Sequence, residues 1–194
     1  MTAGLILAAG ESRRMGTPKA LLRYRDESFL DTLIGLFQAR CAPVIVVLGA
    51  AAREVRAATT RAAAFVENER WEGGQTSSMQ CGLRAVPADA DGVLLTLVDH
   101  PAVKMETIDA LLDVDMAGRR PPLRVPVYQG RNGHPIWFSR GLIREFLALE
   151  ESGAARDVVR AHAAETEYLD VEDPGVLADI DDPAAYRALL EAEP

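Results

Sequence analysis

The chain has 194 residues, 48% of them hydrophobic, which predicts a single globular domain over residues 1–194 with a sizeable core. Its formal net charge of -8 argues against a general nucleic-acid binder, because such proteins usually present a basic face. The two cysteines, Cys41 and Cys81, fit neither a disulfide framework nor a metal cluster and are expected to be small, mostly buried thiols. No segment has the length of a membrane span or the pattern of a signal peptide. We therefore expect a cytoplasmic protein without a membrane partner.

Apolar runs alternate with helical patterns along the chain. In the first half, strands are predicted at 4–10, 43–50, 63–68 and 91–101, and they alternate with helices at 31–40, 52–62 and 77–86, the last of which is opened by a serine cap. A helix at 105–115 follows, and then two strands around a glycine-bearing turn in 123–138. The remaining predicted elements are helices at 141–151 and 155–165, a strand at 166–173 and a helix at 182–193. Continuous apolar strands separated by helices predict an α/β fold with a mostly parallel sheet. Ligands of such sheets bind at the carboxyl ends of the strands, which here carry Gly10, Gly49, Asn68 and Asp99.

The stretch LAAGESRRMGTPKALL follows the first predicted strand and is basic in an acidic chain. Its small residues would let a phosphate approach the backbone, and Lys19, one of only two lysines, adds a compact positive charge. The dinucleotide fingerprint is excluded, since the middle glycine is absent. The P-loop is excluded too, because five residues separate Gly10 from Gly16 and the lysine comes three residues later. On local chemistry alone, a solvated surface loop remains an equal alternative.

This stretch resembles the signature Leu-Ala-Ala-Gly-x-Ser-x-Arg-Met-Gly-x-x-Lys of nucleotidyltransferases that join an NTP to a phosphorylated acceptor. The fixed positions are matched by Leu7, Ala8, Ala9, Gly10, Ser12, Arg14, Met15, Gly16 and Lys19. The sequence is most similar to the molybdenum-cofactor cytidylyltransferase branch of the MobA-like NTP transferases. The resemblance implies a three-layer α/β/α Rossmann-like fold and a nucleotide bound by Leu7, Ala8, Ala9, Gly10, Glu11, Ser12, Arg13, Arg14 and Lys19.

Two acidic segments are candidates for a divalent metal ion. Asp99 ends the strongest apolar strand, where a carboxylate can hold Mg²⁺ against phosphates, or can simply cap a helix. Asp179 and Asp181 alternate and would share one face of an extended segment, while Asp182 could start the last helix as its cap. The resemblance favours Asp99 as a metal ligand, with Asp181 as a second carboxylate.

A glycine- and serine-rich stretch precedes the third predicted helix, and its hydroxyl and N–H groups suit a base or ribose. The alternative is an ordinary capped helix. The resemblance places Gly74, Ser77 and Ser78 at the nucleotide, with Ser78 nearest the base. Trp71 could stack on a ligand, but apolar packing is the preferred interpretation.

The segment containing Gly130, Gly133, His134 and Pro135 reads locally as a turn. The resemblance implies that Gly133, His134 and Pro135 lie towards the acceptor. His100 neighbours Asp99 and is expected to shape the site.

The resemblance, which runs from Leu7 to Pro183, implies Mg²⁺- or Mn²⁺-dependent nucleotidyl transfer with Lys19, Arg14 and Asp99 as catalytic residues. The preferred reaction moves CMP from CTP onto the terminal phosphate of molybdopterin, since Ala-Ala-Gly resembles the cytidine-using members. The alternatives are a guanylyltransferase, another phosphorylated acceptor, an oxidoreductase of purine or alkaloid catabolism, and a non-catalytic molybdopterin-binding protein. Transient contact with molybdoenzyme maturation proteins is a further expectation.

Overall fold

The protein is described here from a computed structural model, which describes residues 1–114, 116, 118–150 and 153–192. The strands are β1 (Ala3–Ala8), β2 (Arg23–Tyr24), β3 (Glu27–Ser28), β4 (Val44–Leu48), β5 (Ala64–Glu67), β6 (Gly92–Leu97), β7 (Leu123–Tyr128), β8 (Arg131–Asn132), β9 (Ile136–Ser139) and β10 (Thr166–Asp170). The α-helices are α1 (Phe29–Gln38), α2 (Ala52–Ala58), α3 (Gly74–Arg84), α4 (Met105–Leu112), α5 (Ile143–Leu147), α6 (Ala155–Ala161) and α7 (Pro183–Glu191). Short 3₁₀ turns cover Lys19–Leu21, Trp71–Gly73, Arg140–Leu142, Ala163–Glu165 and Pro174–Leu177.

The main sheet has eight strands in the order β10-β7-β9-β6-β1-β4-β5, with β8 paired to β7. Strands β6, β1, β4 and β5 pair in parallel, as do β7 and β10, whereas β9 is antiparallel to both of its neighbours. All strands of the main sheet except β8 and β9 therefore run in one direction. Strand β9 runs the other way, so it begins at the edge where β1, β4, β6 and β7 end.

Both faces of the sheet are covered by helices, and β1 shows why the sequence requires this. Its alternate side chains point to opposite faces of the sheet, and all of them are buried. Leu5 and Leu7 pack in a core with α3, α5 and α6. Ile6 and Ala8 pack in a second core with α1, α2 and α4, against which α7 also lies. The predicted three-layer α/β/α architecture with a mostly parallel sheet is confirmed.

Several predicted boundaries are wrong. The helix predicted from Ser77 begins at Gly74, and its N-cap is Gly73 without a side-chain hydrogen bond, so the predicted serine cap is incorrect. Gly74 has a φ of +86°, which allows the chain to leave the 3₁₀ turn and enter the helix. The turn region 123–138 contains three strands, and the helix predicted at 141–151 is reduced to α5 after a 3₁₀ turn. The predicted helix ends at 115, 151 and 193 lie outside the described residues.

The two cysteines differ in environment. Cys41 is buried after α1, and its burial raises the pKa of the thiol to about 12. Cys81 lies within α3 and is half-buried, so the expectation of mostly buried thiols is met more fully by Cys41. None of the helices in the described part of the chain combines the length and apolarity that crossing a membrane requires.

Candidate active site

Residues 9–18 follow β1 and form a loop that we call the phosphate-type loop. This loop, the end of β6 and the start of α3 surround one cleft of about 440 Å³ at the carboxyl edge of the sheet. Its lining consists of Leu7, Ala8, Ala9, Gly10, Glu11, Ser12, Arg13, Arg14, Pro18, Lys19, Ala20, Ala51, Val55, Trp71, Gly74, Gln75, Ser78, Leu97, Val98, Asp99 and Asp181. The structure thus brings together every predicted nucleotide-binding residue except Ser77. The cleft is the meeting point of residues far apart in the chain.

The loop after β1 is shaped by Ser12. Its backbone has a φ of +56°, and its carbonyl accepts a hydrogen bond from Met15 N at 2.9 Å. Its hydroxyl accepts one from Lys19 N at 3.0 Å, which fixes the distance between the loop and the lysine. Within the described part of the chain, the backbone N–H groups of Gly10, Glu11 and Ser12 donate to no other backbone group. They are free to donate to phosphate oxygens in the cleft.

Gly49 allows a close approach between two residues that line the cleft, Ala9 and Trp71. A Cβ atom there would lie 2.7 Å from Trp71 Cβ and would overlap Ala9 O. The missing side chain lets Trp71 lie beside the loop, where it is half-buried and lines the cleft as well as packing on the core. The apolar packing that the sequence favoured is therefore observed, and the ring also lines the cleft.

Asn68 organises the serine-rich part of the cleft, a role that the sequence did not assign to it. It is buried after β5, and its Nδ2 donates to Ser77 Oγ at 2.9 Å and to Ser78 Oγ at 3.1 Å. Ser78 is buried and lines the cleft, whereas Ser77 lies outside the lining and donates to Arg70 O at 2.8 Å. The position of Asn68 at the end of a strand was the available signal.

Lys19 is held between two carboxylates. Its Nζ donates to Asp99 Oδ2 at 2.8 Å and also to Asp181 Oδ1, while Arg14 donates to the other oxygen of Asp181. Burial disfavours the charged lysine, but hydrogen bonds to Asp181 and Asp99 outweigh it and raise the pKa of Lys19. The same hydrogen bond from Lys19, with help from Arg14, lowers the pKa of Asp181. The loop and the acidic segments are therefore joined through charge.

The acidic residues also form a group that could hold a metal ion. Carboxylate oxygens of Asp99, Asp179 and Asp181 lie within 4.8 Å of one another. Asp99 Oδ1 is buried without a hydrogen-bond partner among the described residues. Partial desolvation, reinforced by the charges of Asp99 and Asp181, raises the pKa of Asp179. Hard oxygen ligands and an unpartnered buried oxygen fit Mg²⁺ or Mn²⁺.

The sequence left a helix-cap role open for Asp99 and for Asp182, and the structure shows it only for Asp182. Helix α4 begins at Met105 with Lys104 at the N-cap position, so Asp99 caps no helix. Asp182 does cap α7, because its Oδ1 accepts hydrogen bonds from the backbone N–H groups of Ala184 and Ala185, both at 2.9 Å. Of the acids near the end of the chain, Asp182 is thus structural and Asp181 reaches the cleft.

The predicted acceptor segment lies behind the acidic group. Gly133, His134 and Pro135 are not among the residues that line the cleft, and the ring of His134 packs 5.0 Å from that of His100, centroid to centroid. Burial lowers the pKa of both histidines, that of His134 to about 4. His100 Nε2 is 3.8 Å from Asp99 Oδ1, too far for a hydrogen bond. A neutral imidazole pair therefore backs Asp99.

Comparison with known proteins gives several relatives that match over nearly their full length, and three of them are described here. The chain is 31% identical to the purine catabolism protein PucB of Bacillus subtilis, covering 97% of this chain and 96% of PucB. It is 29% identical to a probable molybdenum cofactor guanylyltransferase of Mycolicibacterium paratuberculosis, with 98% and 95% covered. It is 24% identical to the molybdenum cofactor cytidylyltransferase of Escherichia coli, with 96% and 94% covered.

Solved structures with similar sequences have the same fold as this chain. Rv0371c from Mycobacterium tuberculosis matches with a TM-score of 0.85 and 34% identity over 100% of both chains. A manganese complex of Rv0371c matches with a TM-score of 0.76 and 31% identity over 99% of both chains. Residues 4–166 match the family model described as the MobA-like NTP transferase domain. The chain therefore belongs to the MobA-like NTP transferase family.

Proposed function

We propose that the protein transfers a nucleotidyl group from an NTP to the terminal phosphate of molybdopterin, releasing pyrophosphate. The observation that carries this proposal is the convergence of the phosphate-type loop, Lys19 and the Asp99–Asp181 group on one cleft. Full-length relatives bear the names of molybdenum cofactor guanylyl- and cytidylyltransferases, which supports molybdopterin as the acceptor.

The reaction asks mainly for positioning and charge neutralisation. A phosphate oxygen of the acceptor forms a bond to the α-phosphorus, the bond to the bridging oxygen breaks, and pyrophosphate leaves with the electron pair. No proton has to be removed from an acceptor that is already an anion. The backbone N–H groups of Gly10–Ser12, together with Arg14, hold the β- and γ-phosphates in this proposal. Lys19 stabilises the negative charge that builds up at the α-phosphate during the transfer.

Asp99, with Asp181, would hold a divalent ion, and Asp179 lies close enough to share it. Such an ion, when bound, neutralises phosphate oxygens. The manganese complex of Rv0371c supports an ion in this family, and we propose Mg²⁺ as the ion used by this protein. Gly133, His134 and Pro135 remain proposed acceptor-side residues on the resemblance alone, because they do not line the cleft.

The preferred nucleotide is CTP, with GTP as the alternative. The preference rests on the Ala8–Ala9–Gly10 sequence, because relatives with guanylyl and cytidylyl names both match. Trp71 and Ser78 line the cleft on the side where we place the base and ribose. A cytoplasmic location and contact with molybdoenzyme maturation proteins complete the proposal.

The match to PucB favours a second candidate, a role in purine catabolism. A protein of purine catabolism could itself transfer nucleotides, so only the absence of nucleotidyl transfer would distinguish this candidate from the first.

A panel of the four NTPs with Mg²⁺, with and without molybdopterin, tests the proposal through pyrophosphate release. We expect release that depends on molybdopterin and is fastest with CTP. If release is fastest with GTP, the proposed substrate changes from CTP to GTP and the proposed reaction stays the same. No release with any NTP would overturn the proposed function and leave purine catabolism without nucleotidyl transfer as the candidate.

A further inference from the structure

The segment Asp173–Asp181, which we call the acidic strap, carries Asp179 and Asp181 back to the site. It follows β10 at the edge of the sheet and crosses the carboxyl ends of the strands. At its far end, Ile180 is buried, and its backbone N–H donates to Asp99 O at 3.1 Å. The distance between the strap and Asp99 therefore decides whether the three carboxylates can act on one ion.

Asp173 fastens the beginning of the strap. Its side chain is buried, at 2% exposure, and accepts three hydrogen bonds. Oδ2 accepts from Lys104 N at 2.9 Å and from Thr107 Oγ1 at 2.7 Å, and Oδ1 accepts from Gly175 N at 2.9 Å. Lys104 and Thr107 lie at the start of α4, which follows Asp99 closely in the chain. One carboxylate thus ties the strap to the segment that carries Asp99.

Two glycines let the strap lie directly on its neighbours. A Cβ atom on Gly175 would overlap Ala102 O, and one on Gly133 would lie 2.5 Å from Val176 O. The same carbonyl of Val176 accepts a hydrogen bond from His134 N at 2.9 Å. The strap is therefore held by backbone contacts on both sides, and Asp173 is the buried charged side chain that fixes its entry.

We propose that Asp173 is a positioning residue that sets the place of Asp179 and Asp181 relative to Asp99. The inference rests on the proposed function, because it assumes that this acidic group binds a divalent ion. Asparagine at position 173 keeps an oxygen for Gly175 N but turns an amide towards the N–H of Lys104. That donor then loses its acceptor at a partly buried position, and the strap has to move.

Asp31 provides a matched control. It is also buried, at 3% exposure, and accepts hydrogen bonds from Thr60 N at 3.0 Å, Arg61 N at 2.9 Å and Ser28 Oγ at 2.9 Å. It ties α1 to the loop after α2, and none of its hydrogen bonds involves the acidic strap. Asp31→Asn therefore removes a buried carboxylate of the same kind without touching the strap.

The test is a Mn²⁺ titration of the full chain, followed by electron paramagnetic resonance, alongside the midpoint of thermal unfolding. We expect Asp173→Asn and Asp31→Asn to lower the midpoint alike. We expect Mn²⁺ affinity to fall by about tenfold or more only in Asp173→Asn, the effect typical of residues that orient metal ligands. Unchanged affinity in Asp173→Asn, or an equal loss in Asp31→Asn, would overturn the inference.

Thr107→Val covers the case in which Asp173→Asn does not fold, since it removes a single hydrogen bond to Asp173. It should weaken Mn²⁺ binding in the same direction, and unaltered affinity would overturn the inference. A lack of Mn²⁺ binding by the unaltered protein would overturn it together with the proposed metal role. Pyrophosphate release is measured separately, so an active protein with unchanged Mn²⁺ affinity in these variants keeps the proposed function and loses only this inference.

Discussion

The ammonium group of Lys19 lies 2.8 Å from Asp99 Oδ2 and also contacts Asp181. These are the two carboxylates that we propose as ligands of a divalent ion. Lys19 competes with that ion, because both cations bind the same two carboxylates and repel each other when they are close together. Phosphates entering the cleft would attract Lys19 and leave the carboxylates to the ion. Nucleotide and metal ion should therefore favour each other's binding.

The first prediction concerns metal binding without nucleotide. Lys19→Met removes the competing charge and keeps the length of the side chain, so Mn²⁺ affinity of the free protein should rise by about tenfold, which is about 1.4 kcal/mol. Calorimetric titration measures this change. Arg40→Met is the control, since it removes a positive charge from an exposed pair with Asp109. Weaker or unchanged Mn²⁺ binding in Lys19→Met would contradict the competition.

The second prediction concerns turnover. Asp99→Asn and Lys19→Met should each lower kcat by roughly two to three decades, the range for losing one preorganised electrostatic partner. The fold should survive, as judged by circular dichroism and the unfolding midpoint. Near-normal kcat in either purified variant would rule out its assigned role.

The third prediction concerns Trp71. If its ring contacts the base, Trp71→Leu should weaken CTP binding by about 1–3 kcal/mol, the usual range for stacking on a nucleobase. In a Trp137→Phe background, whose buried indole is removed, CTP should quench the remaining fluorescence of Trp71. A full-strength signal at saturating CTP, with unaltered affinity in Trp71→Leu, would assign Trp71 to packing alone.

Much of the site could be predicted from the sequence because its parts follow strands. The loop after β1 and Asp99 after β6 stand where buried apolar runs end, so their meeting follows from a parallel sheet. Asn68 follows β5 in the same way, but its hydrogen bonds to Ser77 and Ser78 could not be predicted, since they depend on how α3 packs.

Local signals also misled where tertiary contacts decide. Ser77 is a good cap by residue type, yet Gly74 with its positive φ starts α3 three residues earlier. Gly133 contacts Val176, and Asp173 accepts a hydrogen bond from Thr107. These partners are about 40 positions apart or more, so no local sequence pattern predicts the contacts.

The fourth prediction concerns pH. Burial lowers the pKa of His134 to about 4 from an ordinary value of 6.5, so the unfolded chain binds the extra proton first as pH falls. The stability that comes from keeping this ring neutral is present above pH 6.5 and is lost as pH falls towards 4. Between pH 7 and pH 5 the loss is about 2 kcal/mol.

Denaturant unfolding at several pH values measures this loss. His134→Gln should flatten the pH dependence over that range, while His100, whose pKa is lowered in the same direction, keeps a part of it. An identical slope in the unaltered protein and in His134→Gln would show that the ring does not carry the effect.

The transfer of the α-phosphorus tests the central claim most directly. CTP labelled at the α-phosphate is incubated with the protein, Mg²⁺ and molybdopterin, and the products are separated. We expect the label to move onto molybdopterin in a diphosphate linkage, in step with pyrophosphate release, and Asp99→Asn to slow the transfer by roughly two to three decades. Label that stays in CTP, or that appears only as free CMP, with no labelled product from GTP either, would contradict the account.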